Sequence, residues 1–508
     1  MQKIQTDSTA LREKWLLAQT GIQTNTTTVH GFSEKVLTEG GVYNGVWLEC
    51  APFEGWVYAS QNLDVARANH DIFFALQKED GQLPCFVLED RVGYSQIQMV
   101  VPIARTALAL ALVLECETFL RGAYTACAAW DAWLLRHRNT LGTGLCEAFC
   151  EYDTGHDNSP RWAGLPRTCP DENVNLLPSG FPQLPFLAPD LSATVYGGRK
   201  ALAAMASLLG LGDASDQWSD SAERLRRKIN SKCFSEEDLC YYDRMATGEL
   251  LRIRGDVLLR VLQEGVPDSK LADQLFSHHI LDHRKFWPEY PLPSIALDEP
   301  VCEPTKTYNA WSGASQALTA LRAPDWFRHY KRDTELRLLM KQWVKAIVNG
   351  DRFGQQIDPT TGEIGAPASY TPAMLVLTSF VTRLYGIHQE ADGTIDWNAG
   401  LPEGAGSFEA EGRAFDGRRL SWKQKAGEAV ALVNGVAQFR LLHEGGGCAL
   451  RMPSNNLDAW ELINTMSRTQ HFSIALPNGE LVWAGSLDSN ERMQINSQYR
   501  ETAVLATR

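Results

Sequence analysis

The sequence predicts a mainly α chain that ends in a small all-β domain, and two observations carry that reading. Apolar residues recur at three- and four-residue intervals from about Gln61 to Ile387, and turn residues crowd together at short intervals beyond Gln389. About eleven or twelve helices fit the first stretch, and six hairpins closed into an (α/α)6 toroid accommodate that count. Helix counting alone leaves an open solenoid equally compatible. The expected boundaries are an N-terminal extension over 1–40, a helical barrel over 41–388 and a β-domain over 389–508. The extension either joins the β-domain or crosses over the barrel.

The helices are justified in order. Val65, Ile72, Phe73 and Leu76 keep one helical stripe. Val101 to Leu114 is apolar on most faces, which predicts a helix buried on both sides. Cys127, Trp130 and Leu134 continue the pattern. Asp190 is the expected N-cap of a helix running to Leu209, with Gly210 as its stop. Trp218, Ala222, Leu225 and Ile229 share a face, and so do Leu336, Leu339, Met340, Trp343 and Ile347, ended by Asn349-Gly350. Two long connections, 139–188 and 280–308, hold much of the Pro, Gly, Trp and charge, and long structured loops on a helical scaffold are commonly functional. Past Gln389, Ala391-Asp-Gly-Thr, Pro402-Glu-Gly-Ala-Gly, Asp416-Gly and Glu444-Gly-Gly-Gly punctuate strand-like runs at Ala429–Val433 and Ala437–Leu442. Pro477-Asn478-Gly479 between Phe472–Leu476 and Glu480–Ala484 predicts a hairpin.

Composition narrows the class of function. With 44% hydrophobic residues in 508, the chain can bury a large core. Fifteen Trp suit a site where indole faces cover the C–H faces of sugars. Lys and Arg total 48 against 61 Asp and Glu, and the net charge of -13 argues against nucleic acid and against an anionic membrane surface. The 11 Cys lack a CxxC pair; Cys146 and Cys150 fit one helical turn but make no zinc site by themselves, and reduced packing thiols suit a reducing compartment. Met1 to Lys14 is polar, with no apolar signal core, and Thr106 to Leu114 is too short to span a bilayer. A cytoplasmic protein that acts on a small molecule is expected, and the composition permits a homo-oligomer. No spacing indicates a metal site, a phosphate-binding glycine loop or a Ser-His-Asp elbow, so no metal or cofactor is expected.

The segment Asp153-Thr-Gly-His-Asp157-Asn-Ser-Pro-Arg-Trp162 packs two carboxylates, a histidine, an amide, a guanidinium and an indole into ten residues. Gly155 and Pro160 make it a loop. Sugar hydrolysis needs this mixture: an acid for the leaving oxygen, polar partners for hydroxyls and a flat ring for the sugar face. The competing reading is a polar loop that caps helix ends.

This loop resembles the Glu-Thr-Gly-Met-Asp-Asn-Ser-Pro-Arg-Trp signature of bacterial mannosylglycerate and glucosylglycerate hydrolases of glycoside hydrolase family 63, which are more distantly similar to trehalases. Three further segments agree in order and spacing over about residues 40 to 385. Trp47-Leu-Glu49 and then Gln77-Lys-Glu-Asp-Gly-Gln82-Leu-Pro84 look like the first active-site wall. Tyr290-Pro-Leu-Pro-Ser294 through Asp298-Glu-Pro300 to Trp311-Ser-Gly313 looks like the proline-rich loop and Trp-Arg-Gly-Pro motif. Asp358-Pro-Thr-Thr-Gly362 with Ile364-Gly365 looks like the last loop. The resemblance implies an (α/α)6 barrel and an inverting α-glycosidase that acts on a small soluble α-glucoside or α-mannoside, of glycerate-conjugate or disaccharide type. Asp157 takes the position of the general acid, and Asp153, four residues away, is the expected source of a charge that keeps it protonated. Trp47, Glu49, Gln82, Tyr152, Asp153, His156, Asn158, Arg161, Trp162, Trp311, Gly313 and Tyr370 are the expected substrate-binding positions. Arg161 is expected to pair with a carboxylate and hold the loop. His156 is read as contacting ligand or packing the loop, and Trp162, Trp287 and Trp311 as sugar platforms or pocket walls.

The departures from the family pattern are as informative. Gln355 stands where the general base is expected, and an amide cannot take a proton from water at useful pH. Ser312 replaces the motif arginine, Ala314 its proline, and Tyr370 a tryptophan; Asp153 and Glu49 exchange the family's acidic residues for shorter and longer ones. Three explanations of Gln355 stand open: an inactivating substitution of a native Glu; a base supplied from Glu363, Glu303 or Glu289; or phosphorolysis, which needs no base for water, although loss of arginine at Ser312 counts against it. A sugar-binding protein that does not hydrolyse is the alternative of a different class.

Overall fold

The computed structural model describes residues 2–305, 308–453, 459–496 and 502–505. Twelve α-helices occur among them: α1 (Thr9–Thr24), α2 (Ala51–Tyr58), α3 (Leu63–Ala75), α4 (Ile103–Leu114), α5 (Glu117–His137), α6 (Pro189–Leu208), α7 (Gly212–Cys233), α8 (Asp256–Gln263), α9 (Ser269–Leu275), α10 (Ala317–His329), α11 (Asp333–Asn349) and α12 (Thr371–Tyr385). The apolar stripes read from the sequence are their buried faces. Val65, Ile72 and Phe73 are buried on α3, which Asn62 caps by accepting from the Val65 N–H at 3.2 Å. Ala222, Leu225 and Ile229 are buried on α7, and Leu336, Leu339, Met340, Trp343 and Ile347 on α11. Helix α2 packs on α4, α4 on α6, α6 on α8, α8 on α10, α10 on α12, and α12 returns to α2; α1, α3, α5, α7 and α11 pack against members of that circuit.

Two expectations about single helices change. Pro189 and not Asp190 opens α6, and Asp190 is a buried residue of its first turn that receives Arg161. Proline suits that place because its missing N–H would have no helical partner there. Helix α4 buries one face only, with Leu112 exposed on the other.

The predicted mainly-α toroid is also overturned as the description of the whole molecule. Helix accounts for 38% and strand for 23%, a mixed composition. A 7-stranded antiparallel sheet joins Lys3–Thr6, Ser407–Arg413, Arg419–Lys425, Glu428–Val433, Val436–His443, Gln470–Ala475 and Leu481–Leu487. A 6-stranded sheet joins Ile387–Gln389, Ile395–Ala399, Cys448–Met452, Ala459–Asn464, Arg492–Asn496 and Thr502–Leu505. The inner faces share an aromatic core in which Phe439 lies 5.9 Å from Trp397, 6.0 Å from Trp422 and 5.4 Å from Trp460. The Pro477-Asn478-Gly479 turn joins paired strands, with Ile474 opposite Trp483. The N-terminal strand pairs with Ser407–Arg413, and α1 then lies against α12. Residues 454–458, 497–501 and 506–508 of the predicted β-domain fall outside the described residues.

Short strands make up the rest of the difference. Glu147–Ala148, Phe186–Leu187, Asp243–Arg244 and Leu250–Leu251 form one small sheet; Gly45–Trp47, Phe86–Leu88 and Val92–Gly93 another; Ser315–Gln316 and Gln356–Ile357 a third. Two or three residues are too few to show a period of two, so the sequence carries no sign of them. They tie the loops around the Asp157 segment to one another.

Candidate active site

The loop from Cys150 to Trp162 is fixed at three points. Asp153 accepts from Arg138 Nη2 at 3.2 and 3.3 Å and from the backbone N–H groups of Ile97 at 3.0 Å and Phe149 at 2.8 Å. Arg161 forks between Asp190, at 2.7 and 2.9 Å, and Asp243, at 2.6 Å twice, and it also donates to His156 Nδ1 at 2.9 Å. Trp162 is buried against Phe186 and donates to Thr154 Oγ1 at 3.0 Å. Asp153, Arg161 and Trp162 therefore hold the loop. Gly155 has a φ of +62°, and a Cβ there would come within 2.0 Å of Glu49 Oε2, so only glycine passes this point without displacing Glu49.

Asp157 sits partly buried at the apex of the loop. Its backbone carbonyl accepts from Trp311 N–H at 3.1 Å, and its Oδ2 accepts from Asn309 Nδ2 at 2.7 Å. Burial pushes its carboxyl up to about 6; the Asn309 donor opposes that and the charge of Glu151 adds to it. The neighbouring charge comes from Glu151, not from Asp153 as expected, because Asp153 is engaged with Arg138. Asn309 was not singled out from the sequence. Its Oδ1 accepts from Gln355 Nε2 at 2.9 Å, and Gln355 Oε1 accepts from Tyr43 Oη at 3.0 Å. A directed chain of hydrogen bonds thus runs from Tyr43 through Gln355 and Asn309 to Asp157. Asn309 is held in a left-handed conformation, φ +38°, and its carbonyl accepts from Asn158 Nδ2 at 2.8 Å. The only local hint is its place two residues before Trp311.

Aromatic rings gather around this chain. Tyr43 meets Trp47 edge-on at 5.7 Å and Tyr370 at 6.0 Å. Trp311 packs with Trp47, Cys50 and Leu318, lies 5.0 Å from the His156 ring and carries the Arg260 guanidinium 5.5 Å above it. Tyr370 is buried and donates to Glu39 Oε1 at 2.6 Å. Glu49 accepts from Gln98 Nε2, and burial, followed by the charge of Asp157, pushes it up to about 7. Tyr152 is half-buried under Arg167 at 5.1 Å and feels the Asp157 charge. Gly313, φ +144°, passes where a Cβ would come within 2.7 Å of Cys302 Sγ.

Gln82 is buried between Lys78 and the Tyr94 carbonyl, each at 2.9 Å. Glu303 and Glu363 are exposed, and Glu289 pairs with Lys345 at 3.5 Å on the surface. His156 is neutral near physiological pH: burial first, then Arg260, pushes it down to about 3, while it bridges Arg161 and Asp256. It packs the loop. Trp287 is buried against Phe327. The sulfur neighbouring Cys150 is that of Cys169, at 3.8 Å, and not that of Cys146.

The family described as mannosylglycerate hydrolase MGH1-like glycoside hydrolase domain matches residues 43–373. No curated protein matches the chain. Among solved structures, the GH63 mannosylglycerate hydrolase from Thermus thermophilus in complex with glucose matches with a TM-score of 0.61 at 20% identity, over 72% of this chain and 99% of that one. The GH78 family rhamnosidase of Bacillus sp. GL1 matches with 0.58 at 11%, over 84% and 40%. Neutral trehalase Nth1 from Saccharomyces cerevisiae matches with 0.52 at 14%, over 72% and 79%. At these identities the likeness shows a shared fold. The family match spans 43–373 of 508 residues and takes in Tyr43, Asp157, Asn309 and Gln355: the chain belongs to the mannosylglycerate hydrolase MGH1-like glycoside hydrolase family.

Proposed function

We propose that this glycoside hydrolase cleaves a small α-glucoside or α-mannoside with inversion, with Asp157 as the general acid. The observation that carries the reading is the Asp157–Asn309–Gln355 bridge. A carboxyl titrating near 6 keeps part of its proton at neutral pH and can give it to a leaving oxygen. The Asn309 amide spans the gap to Gln355, so Asp157 Oδ2 and the Gln355 amide nitrogen lie no more than about 8 Å apart, which does not exceed the roughly 6.5–9.5 Å spacing of inverting pairs. Water between them attacks the anomeric carbon from the Gln355 side while the bond to the leaving oxygen breaks and that oxygen takes the Asp157 proton. Gln355 and Tyr43 can orient the water, and with an amide rather than a carboxylate at Gln355 its proton passes to bulk water.

The T. thermophilus mannosylglycerate hydrolase was solved with glucose, and with Tris and D-glycerate. We extend that chemistry to this chain as a hexosyl glycerate or similar conjugate, bound between the Tyr43–Trp47–Tyr370 rings and Asp157. No described helix is long and apolar enough to cross a membrane, and the 11 thiols are free, which suits work in a reducing cytoplasm.

One observation favours a second reading, sugar binding without hydrolysis: both ends of the Gln355 amide are already bonded, to Tyr43 and to Asn309. A screen of α-glucosides, α-mannosides and their glycerate and glycerol conjugates, run on the chain and on Gln355→Glu, separates the two. Release of monosaccharide by either protein supports hydrolysis. Tight binding with no release by both supports the second reading.

A further inference from the structure

Behind Trp47, three carboxylates and a thiol are buried together. Glu39, Glu49 and Cys50 place carboxylate oxygens and a sulfur all within 4.8 Å of one another. Glu54, in the first turn of α2, is 0% exposed, and neither of its oxygens has an N–H or O–H donor. Its carboxyl interacts with the Cys50 thiol and feels the charge of Glu49, two members of that cluster. Glu39 has the Tyr370 hydroxyl and Glu49 the Gln98 amide. Among the described residues no Lys, Arg or His makes an ion pair with Glu39, Glu49 or Glu54. The nearest guanidinium groups, Arg260 and Arg322, are held by Asp256 at 2.6 and 3.3 Å.

Burying carboxylates without a counter-charge costs several kcal/mol each, and a cation is one way to remove that cost. We propose that Glu39, Glu49, Cys50 and Glu54 form a divalent-cation site, with a preference for a zinc-like ion over calcium or magnesium. The donor set decides the class. Calcium and magnesium take oxygen ligands only, whereas zinc accepts thiolate and carboxylate together at about 2.0–2.3 Å. The three nearest donor atoms need close up only about 1 Å to reach such an ion, and Glu54 supplies the fourth ligand. On binding, the Cys50 thiol and whichever of the three carboxyl groups hold protons give them to solvent as the metal bonds form. The sequence offers no metal-binding spacing here because the ligands come from the strand-loop before α2 and from α2 itself. The other compact group, Cys150, Asp153 and Cys169, is not such a site: Arg138 and two backbone N–H groups already use the Asp153 oxygens. The site would also bear on the acid loop, because Glu49 Oε2 rests against Gly155, two residues before Asp157.

The test uses the full chain, stripped with a chelator, and reads bound metal and melting temperature, both independent of sugar hydrolysis. Zinc alone should bind at one equivalent per chain and raise the melting temperature, while calcium and magnesium should do neither. Cys50→Ser and Glu54→Gln should each weaken zinc binding by about tenfold or more, and Cys150→Ser should leave it unchanged. Melting of the metal-free variants checks that they fold; if Cys50→Ser does not, the isosteric Glu54→Gln and the wild-type metal content still decide. Failure of the wild-type chain to hold zinc, equal binding of calcium, or undiminished zinc binding by the two variants would overturn the proposal.

Discussion

Replacing Asp157 with Asn should abolish hydrolysis and, above pH 6, make the protein more stable. The Asp157 carboxyl is held above its ordinary range by an unfavourable environment, and the magnitude follows from that. Burial raises the carboxyl from 3.8 to about 6. Each unit corresponds to about 1.4 kcal/mol, so complete conversion would give about 3 kcal/mol. The carboxyl is partly open to solvent, and screening reduces this to about 1–2 kcal/mol. A folded-state value above the unfolded one means that the folded chain binds the proton more tightly. Wild-type stability is therefore favoured below pH 4 and falls as pH rises through the window from about 4 to 6. Asparagine carries no charge, still accepts from Asn309, and escapes the loss. Melting curves of both proteins from pH 4 to 8 should coincide at the acid end and separate by about 1–2 °C at the alkaline end. Hydrolysis by the variant should drop by about two to four orders of magnitude, measured also in the Gln355→Glu background. A melting difference that does not depend on pH, or turnover near that of the parent, would refute the reasoning.

Other outcomes follow from the same contacts. Gln355→Glu should raise turnover by about 10²–10⁴-fold, because the new carboxylate can take the proton from water; the Asn309 amide must then turn over to donate to it, which leaves Asp157 without its donor and moves the alkaline limb of the pH–rate profile upward. A flat or falling rate would move the base elsewhere. Arg161→Lys should lower stability by about 3–5 kcal/mol, since one ammonium cannot serve both buried carboxylates, and circular dichroism melting would read it as a large fall. A shift of a degree or less would show that the fork does not hold the loop.

The helices were legible because each carries its signal within a few turns. The Val65–Phe73 stripe, the Leu336–Ile347 stripe and the stop at Gly210 need no distant partner to be read. Asp190 was misread because an aspartate before an apolar run is a capping signal, and its actual partner, Arg161, is 29 residues back. The fold class was misjudged because two-residue strands leave no period and because the C-terminal strands assemble into sheets far larger than their short runs suggested. The site divides in the same way. The Asp153–Trp162 loop could be read because its chemistry is contiguous. Asn309 could not, because its meaning depends on Asp157, 152 positions away, and Gln355, 46 positions away. Asp153 lies near Asp157 in sequence, yet Arg138 takes its charge, and Glu151 does the work assigned to it.

The most direct test of the central claim is the anomer first released from an α-linked hexosyl glycerate, followed by proton NMR in the minutes before mutarotation, with the chain and with Gln355→Glu. The account predicts the β-anomer from the hydrolysing protein, with the signal lost on Asp157→Asn. Release of the α-anomer, or release that survives Asp157→Asn, would contradict it.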